Sequence, residues 1–224
     1  GVPMIEVTET NMSELAKNLK YCFDRVAALL ALVVLSPLFL VLSIAVRRSS
    51  SGPVFYRQER IGKRGKPFLI YKFRTMYTNT EGETPQLSFE GDPRVTPLGR
   101  WLRRYRLDEL PQFYNVLRGD MSFVGTRPEV TKYVERYSDY MYATLLLPAG
   151  LTSYSSINYK DEDEIISEHL DDNTNIDDIY INYILPDKMK YNIEYIEKFS
   201  FWYDIKIMFK TFLSVFFGGK NNEG

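Results

Sequence analysis

The stretch 99–128 combines two adjacent carboxylates, Asp108 and Glu109, with six arginines. The arginines are Arg100, Arg103, Arg104, Arg106, Arg118 and Arg127. Asp is a favoured N-cap, Pro111 is tolerated in a first turn and Arg118-Gly119 is typical of a helix end, so we predict a helix that begins near Asp108. In one interpretation Asp108 only caps this helix and the arginines are solvated. In the other, the helix start and the arginines hold a phosphoryl group beside an ionised carboxylate. Because adjacent carboxylates repel each other unless a cation bridges them, the pair also predicts a divalent metal.

Further sequence strings surround this acidic pair. They are 71–76 (YKFRTM), 107–112 (LDELPQ), 115–117 (NVL), 119–125 (GDMSFVG) and 127–128 (RP). With these strings the chain resembles the bacterial sugar transferase family, the monotopic phosphoglycosyl transferases. The resemblance covers about residues 20–128 and returns near 199–211. So many matches in order are far more specific than one short motif.

The resemblance implies an enzyme of glycoconjugate assembly. Members move a phosphosugar from a UDP-sugar to a polyprenol (undecaprenyl) phosphate at the cytoplasmic face of the bacterial inner membrane, the first membrane step in building a polysaccharide or glycoprotein glycan. Asp108 would be the nucleophile that expels UMP and holds the phosphosugar covalently. Mg²⁺ bound by Asp108 and Glu109 would neutralise the diphosphate, and Glu109 would be a metal ligand or a general base. Lys72, Arg103 and Arg127 match family positions that hold phosphate.

Two segments depart from the family pattern. Thr126 stands where the family commonly has proline, but the following Arg127 is kept, so we retain its anion-binding role. The downstream family segment Arg-Pro-Gly-Ile-Thr-Gly is matched only loosely by 147–153 (LPAGLTS). The residues that would contact the sugar therefore stay unassigned.

Charge is divided unevenly along the chain. The net charge is −1, but residues 1–136 hold 21 Lys and Arg against 14 Asp and Glu, whereas residues 137–224 hold 7 against 15. A basic half suits phosphates and anionic lipid surfaces. We do not expect a nucleic-acid partner, because the arginines flank carboxylates and the chain has a long apolar segment. Cys22 is the only cysteine, so no intrachain disulfide can form, as is usual in a reducing compartment.

The segment 26–46 is an uncharged run of 21 residues. A spanning helix, a signal peptide and a membrane-dipping hairpin are the three alternatives. Pro37 removes a helical hydrogen bond in the middle of the run, and the Ser36 hydroxyl can bond a carbonyl one turn back. Basic residues flank both ends, which suggests that both ends face the cytoplasm. We therefore favour a re-entrant membrane helix broken at Ser36-Pro37, as the family resemblance also implies.

We expect a mixed α/β (α+β) protein, mostly helical, with a small β-hairpin and interfacial amphipathic helices. The predicted organisation is a disordered lead (1–12), the helix–break–helix (13–50), a catalytic domain at the cytoplasmic face (51–217) and a disordered tail (218–224). Strands are predicted at 54–59 and 67–73 with a basic turn between them. The segment 78–97 is predicted to be a loop that could cover the site.

The acidic half is predicted to be helical at 129–147 and within 161–178. The aromatic segment 199–217 suits a helix lying at the membrane interface, and a core helix is the close alternative. Two other functions stay open: a glycosyl transferase that releases UDP, and a membrane-bound scaffold or anionic-lipid sensor that uses only the basic patches. The sequence does not select the sugar or the polyprenol length, and it leaves open whether the protein is a monomer or a homodimer.

Overall fold

The computed structural model describes residues 12–78, 92–159, 162–169 and 176–217. Within these ranges the protein is mostly helical and contains two small sheets of two strands each, which confirms the predicted class. The helices are α1 (Glu14–Val34), α2 (Ser36–Ser49), α3 (Pro97–Arg104), α4 (Phe113–Arg118), α5 (Thr131–Val134), α6 (Asp139–Tyr142), α7 (Tyr154–Asn158), α8 (Glu162–His169), α9 (Ile176–Ile179), α10 (Leu185–Glu197) and α11 (Phe201–Phe217). The strands are β1 (Phe55–Ile61), β2 (Pro67–Phe73), β3 (Met121–Val124) and β4 (Ala149–Thr152).

A sharp bend separates α1 from α2. The two helices meet at Leu35 and differ in direction by 63°. Pro37 lies in the first turn of α2, where its missing N–H removes no helical bond, and the Ser36 hydroxyl donates to the Val33 carbonyl oxygen at 2.7 Å. The predicted break is confirmed. Among the described helices none is by itself long and apolar enough to cross a membrane, whereas α1 and α2 taken together meet that test of length and composition.

Most of the large apolar side chains of α1 and α2 point away from the protein. The exposed ones are Leu15, Leu19, Phe23, Val26, Leu29, Leu30, Val33, Val34, Leu40, Val41 and Ile44. The buried residues of α1 are Lys20, Asp24 and Ala28, which are four residues apart and therefore share one face. This narrow stripe packs α1 against α4 and β3, α2 packs Leu42 and Val46 into the core, and the exposed side chains named above form an apolar patch on the surface of the described residues.

Strands β1 and β2 form the predicted antiparallel hairpin, with a register that runs from Phe55 opposite Phe73 to Ile61 opposite Pro67. Strands β3 and β4 pair in parallel, with Met121 opposite Ala149. Because β3 follows α4 directly, this second sheet fixes the far end of the segment that carries the acidic pair.

The C-terminal helix α11 is amphipathic. Together with α10 it packs around a core that includes Tyr195, Phe199 and Ile207. On the opposite face Trp202 and Phe209 are 77% and 62% exposed. One face of α11 therefore packs on the core, and its opposite face has the exposed apolar side chains expected of an interfacial helix.

The single helix predicted at 129–147 is wrong. The segment contains two short helices, α5 and α6, and a 3₁₀ turn at Ala143–Leu146. Ser138 has extended backbone angles (φ −74°, ψ 162°) that interrupt the helix. Tyr133 and Tyr137, which both precede Ser138, are buried in the core, so tertiary packing outweighs local helix formation.

Some predictions concern residues outside the described ranges. Most of the predicted cover loop lies there, as do residues 1–11 of the predicted lead and all of the tail. The described parts of the acidic stretch are helical, in α8 and α9.

Candidate active site

Asp108 lies at the start of a helical segment made of a 3₁₀ turn, Leu107–Gln112, and α4. Arg106 precedes it in the left-handed conformation (φ 52°, ψ 23°) and turns the chain out of α3. This conformation costs a residue with a side chain roughly 1–2 kcal/mol. Gly119, with φ 84°, ends the segment. The predicted helix is confirmed, but Arg106 rather than Asp108 occupies its N-cap, and Asp108 lies in the first turn.

The second carboxylate, Glu109, is held by a cation from the hairpin. Lys72 of β2 donates from Nζ to Glu109 Oε1 at 2.8 Å, and the two side chains are 21% and 13% exposed. The ion pairs among the described residues include none with Asp108 within 4.0 Å. The adjacent acids are therefore unequal, because Glu109 is neutralised by contact and the Asp108 carboxylate is left available.

Asn115 ties the acidic segment to the hairpin. Its Oδ1 accepts from the Tyr71 backbone N–H at 3.1 Å, and its Nδ2 donates to the Leu69 carbonyl oxygen at 2.7 Å. The side chain thus bonds the free edge of β2 as a neighbouring strand would. Because Asn115 is fully buried, these bonds fix the register between Lys72 and Glu109.

Arg103 approaches Asp108 from α3. Its Nε donates to Thr75 Oγ1 at 2.9 Å, just beyond β2. Helix α3 begins at the N-cap Thr96, whose Oγ1 accepts from the Gly99 N–H at 2.9 Å. A Cβ at Gly99 would overlap the Thr75 carbonyl oxygen, so only glycine allows α3 to lie this close.

Burial and charge set the ionisation of the acidic pair. Burial raises the pKa of Asp108 above its ordinary value, the ionised Glu109 raises it further, and Lys72 and Arg103 oppose these effects. Burial also opposes ionisation of Glu109, but Lys72, Arg106 and Arg127 outweigh it and hold the pKa of Glu109 well below its usual range. The structure thus keeps Glu109 ionised and gives Asp108 a raised pKa and a correspondingly more basic carboxylate.

A narrow cleft opens beside the pair. It is lined by Arg60, Ile70, Lys72, Glu109, Gln112, Arg127, Pro128, Gly150 and Leu151. The Arg127 guanidinium is partly buried and lies 3.5 Å from Ser156 Oγ of α7. Burial lowers the pKa of Arg127, but Glu109 and Glu129 outweigh this and raise it, so the group is cationic. The cleft is a cationic slot of a kind that binds phosphate.

Comparison with known proteins agrees with this geometry. Residues 15–218 match the family described as bacterial sugar transferase. The chain belongs to the bacterial sugar transferase family.

Individual relatives of this sugar transferase differ in the sugar they are named for. The chain is 36% identical over 215 residues to the UDP-glucose:undecaprenyl-phosphate glucose-1-phosphate transferase of Escherichia coli. The aligned region covers 94% of this chain and 43% of the relative. It is 36% identical over 204 residues, 89% of the chain and 44% of the relative, to the UDP-N-acetylgalactosamine-undecaprenyl-phosphate N-acetylgalactosaminephosphotransferase of Aeromonas hydrophila. It is 31% identical over 225 residues, 94% of the chain and 43% of the relative, to the undecaprenyl-phosphate galactose phosphotransferase of Salmonella typhimurium. The chain spans less than half the length of these three relatives.

The sugar transferase brings its predicted site residues into one region. Lys72, Glu109 and Arg127 line the cleft, Asp108 precedes Glu109 in the same turn, and Arg103 interacts electrostatically with Asp108. Ser36 and Pro37 lie apart from them, at the bend of the helix pair. No group of three or more Asp, Glu, His or Cys residues in the described ranges could hold a metal alone.

Arg74 is a structural residue whose role the sequence did not reveal. Its guanidinium donates to the carbonyl oxygens of Ser50 and Ser51 at 2.7 and 2.6 Å, at the C-terminal end of α2. These bonds satisfy helix-end carbonyl groups that have no partner within α2. They join strand β2, which carries Lys72, to the bent helix pair, so Lys72 is held at a fixed distance from that pair.

A buried ionic cluster joins α1 to α11. Lys20 Nζ lies 2.9 Å from Asp24 Oδ2 and 3.0 Å from Asp204 Oδ2. Ser122 of β3 donates to Asp24 at 2.6 Å, and Tyr195 donates to Asp204 at 2.8 Å. Burial raises the pKa of Asp204 to about 6, although Lys20 opposes the shift.

Proposed function

We propose that this chain transfers a sugar 1-phosphate from a UDP-sugar to a polyprenol phosphate such as undecaprenyl phosphate, with Asp108 as the nucleophile. The relatives described above are named for this reaction with three different sugars. The observation that carries the assignment is the inequality of the acidic pair. Glu109 is neutralised by Lys72, whereas Asp108 has no ion pair within 4.0 Å among the described residues and lies beside a cationic cleft.

In the first step an Asp108 oxygen attacks the β-phosphorus of the UDP-sugar. The bond between that phosphorus and the oxygen bridging to the α-phosphate breaks, and UMP leaves with the bridging oxygen. The product is an aspartyl-phosphosugar. Lys72, Arg103 and Arg127 are the cations suited to stabilise the charge that develops on the phosphoryl oxygens.

In the second step a phosphate oxygen of the polyprenol phosphate attacks the same phosphorus. The bond to Asp108 breaks, the carboxylate is regenerated, and the polyprenyl-diphosphate sugar is released. UMP departs before the lipid reacts, so the kinetics should be ping-pong. The buried setting of Asp108 favours this cycle, because a carboxylate poorly stabilised by solvent is a stronger nucleophile.

Magnesium is the proposed cofactor. Asp108 and Glu109 are the residues that would hold Mg²⁺, because they offer the hard oxygen ligands it prefers, and diphosphate oxygens and water would supply further ligands. A metal held mainly by substrate agrees with the lack of a three-residue metal cluster in the described ranges. When bound, Mg²⁺ supplies charge neutralisation for the diphosphate and the carboxylates.

We further propose that α1 and α2 dip into one leaflet at the cytoplasmic face of the bacterial inner membrane. The 63° bend, the outward apolar side chains and the basic residues at both ends of the pair support this arrangement over a straight span. With α11 at the interface, it would hold Asp108 at the depth of the lipid phosphate.

Cysteine labelling tests the topology. In a Cys22→Ser background, Asn18→Cys and Ser51→Cys should both react with a membrane-impermeant maleimide only from the cytoplasmic side. Leu40→Cys, exposed on α2, should be protected by lipid. Labelling of the first two positions from opposite sides would establish a spanning segment instead.

Analysis of the nucleotide product tests the reaction. The wild-type protein with undecaprenyl phosphate and a panel of UDP-sugars should release UMP from at least one donor. Release of UDP would indicate a glycosyl transferase, and the absence of any Mg²⁺-dependent turnover would favour a scaffold or lipid sensor. The donor that gives UMP identifies the sugar.

A further inference from the structure

Among the described residues that line the cleft, Arg60 is the one cation without a role in the reaction described above. It pairs with Phe68 across the hairpin, and Tyr56 pairs with Lys72. Alternate residues of a strand share a face, as do directly opposed partners. Arg60 and Lys72 therefore project from the same face of the hairpin, and both line the cleft together with Ile70.

The Arg60 guanidinium is only partly satisfied by the protein. Its Nη2 donates to Gln58 Oε1 at 2.8 Å, and its Nη1 donates to the Pro128 carbonyl oxygen at 3.2 Å. The carboxylate of Glu129 is 3.7 Å away and also accepts from the Tyr180 hydroxyl at 2.7 Å. The Nε–H is buried and has no hydrogen-bond partner among the described residues. A buried donor left unsatisfied is costly, so Arg60 would gain a hydrogen bond if its guanidinium reoriented toward an acceptor in the cleft.

The charge balance indicates that such an acceptor is anionic. Five cationic side chains and three carboxylates interact across the site. The cations are Arg60, Lys72, Arg103, Arg106 and Arg127, and the carboxylates are Asp108, Glu109 and Glu129. Two more distant acids, Asp92 and Glu162, are already paired with Arg94 and Lys188 at 2.6 Å. The surplus positive charge of these side chains is opposite in sign to a nucleotide-sugar diphosphate.

We propose that Arg60 binds the α-phosphate of the nucleotide-sugar donor, the phosphate that leaves with UMP, with its guanidinium bonding an oxygen of that phosphate across the cleft from Arg127. The proposal rests on the proposed function and adds a donor-binding residue to it. Since the reaction is ping-pong, a residue that contacts only the nucleotide part acts in the first half-reaction. Arg60 should therefore affect kcat/KM for the UDP-sugar and leave kcat/KM for the polyprenol phosphate unchanged.

The test compares Arg60→Gln with Arg57→Gln, which removes the same charge from an exposed position of the same strand. Arg60→Gln should lower the affinity for UDP, measured by calorimetry on the solubilised protein, and kcat/KM for the UDP-sugar by roughly 10- to 100-fold each, because the lost bonds join charged groups. Arg57→Gln should change both by less than about twofold. Arg60→Lys, which keeps the charge but not the Nε–H, should fall between them.

A merely structural role through Glu129 makes a different prediction. If Arg60 only neutralises that acid, Arg60→Gln should lower the melting temperature, and adding Glu129→Gln should restore both the melting temperature and UDP binding. Restored UDP binding would overturn the proposal, as would an Arg60→Gln protein that binds UDP like Arg57→Gln. If Arg60→Gln does not fold, the same comparison with Arg60→Lys decides. These results are distinguishable from failure of the proposed function, in which the wild-type protein itself releases no UMP.

Discussion

Removal of the Lys72 ammonium, by Lys72→Met, is the most informative perturbation of the site. At 2.8 Å from Glu109 its gross Coulomb attraction is about 6 kcal/mol at an effective dielectric constant of about 20. Desolvation of the two groups offsets much of this. Breaking a fully buried pair costs about 3–5 kcal/mol because one charge is left unpaired. This pair is slightly exposed, so we expect a loss of about 2–3 kcal/mol in the free energy of unfolding.

The assay is thermal unfolding in detergent or nanodiscs. A loss of this size lowers the melting temperature of a chain this long by about 5–10 °C. Lys66→Met, at an exposed position of the same hairpin, is the matched control and should change the melting temperature little. The double variant Lys72→Met/Glu109→Gln removes both charges and should recover most of the loss, while remaining inactive because the cation proposed to bind phosphate is still missing.

The reasoning fails if the double variant is no more stable than Lys72→Met. That result would mean that Glu109 does not need the Lys72 ammonium and that the two acids are not made unequal by this contact. Recovery of stability together with recovery of turnover would contradict the phosphate-binding role of Lys72.

Three further predictions test other parts of the account. Asp108→Asn should abolish turnover without lowering the melting temperature, since burial already disfavours the charged form of Asp108. In the wild-type protein, the pKa that governs the acid limb of kcat/KM for the donor should lie above the ordinary range of an aspartate. Gly99→Ala should destabilise the protein and reduce turnover, because the new methyl group overlaps the Thr75 carbonyl oxygen and displaces α3; a normal melting temperature would contradict this close packing. For Asp204 the folded-state pKa of about 6 lies above the unfolded value, so its contribution favours the folded state below about pH 4 and is lost as the pH rises through about 6. Relative to wild type, the free energy of unfolding of Asp204→Asn should therefore rise by up to about 3 kcal/mol between pH 4 and 7, and a flat difference would show that Lys20 compensates the buried charge fully.

Local patterns were sufficient to predict the elements that carry the site. The break at Ser36-Pro37, the hairpin and the helix ending at Gly119 each depend on a few neighbouring residues whose backbone preferences agree. The interruption of the helix predicted at 129–147 was not predictable in this way, because it depends on the long-range core contacts of Tyr133 and Tyr137. The position of Asp108 in the first turn depends on the left-handed conformation of Arg106, which is unusual for arginine and is not indicated by the neighbouring sequence.

The contacts that hold the site are long-range, and for that reason the sequence did not reveal them. Asn115 and Arg74 both stand in strings that carry the family resemblance, but their roles appear only when they bond backbone groups of distant segments. Arg60 is similar, since its place in the cleft follows from the hairpin register. A signal was present in the sequence, because a polar residue between apolar neighbours, as Asn115 is between Tyr114 and Val116, often marks a buried hydrogen-bonding side chain.

The most direct test of the central claim is the intact mass of the protein after incubation with its UDP-sugar and Mg²⁺ in the absence of polyprenol phosphate. The mass should increase by one phosphosugar, peptide mapping should assign the addition to Asp108, and addition of polyprenol phosphate should return the mass to its starting value. An unchanged mass under conditions in which the complete reaction releases UMP, or an adduct on any other residue, would contradict the account.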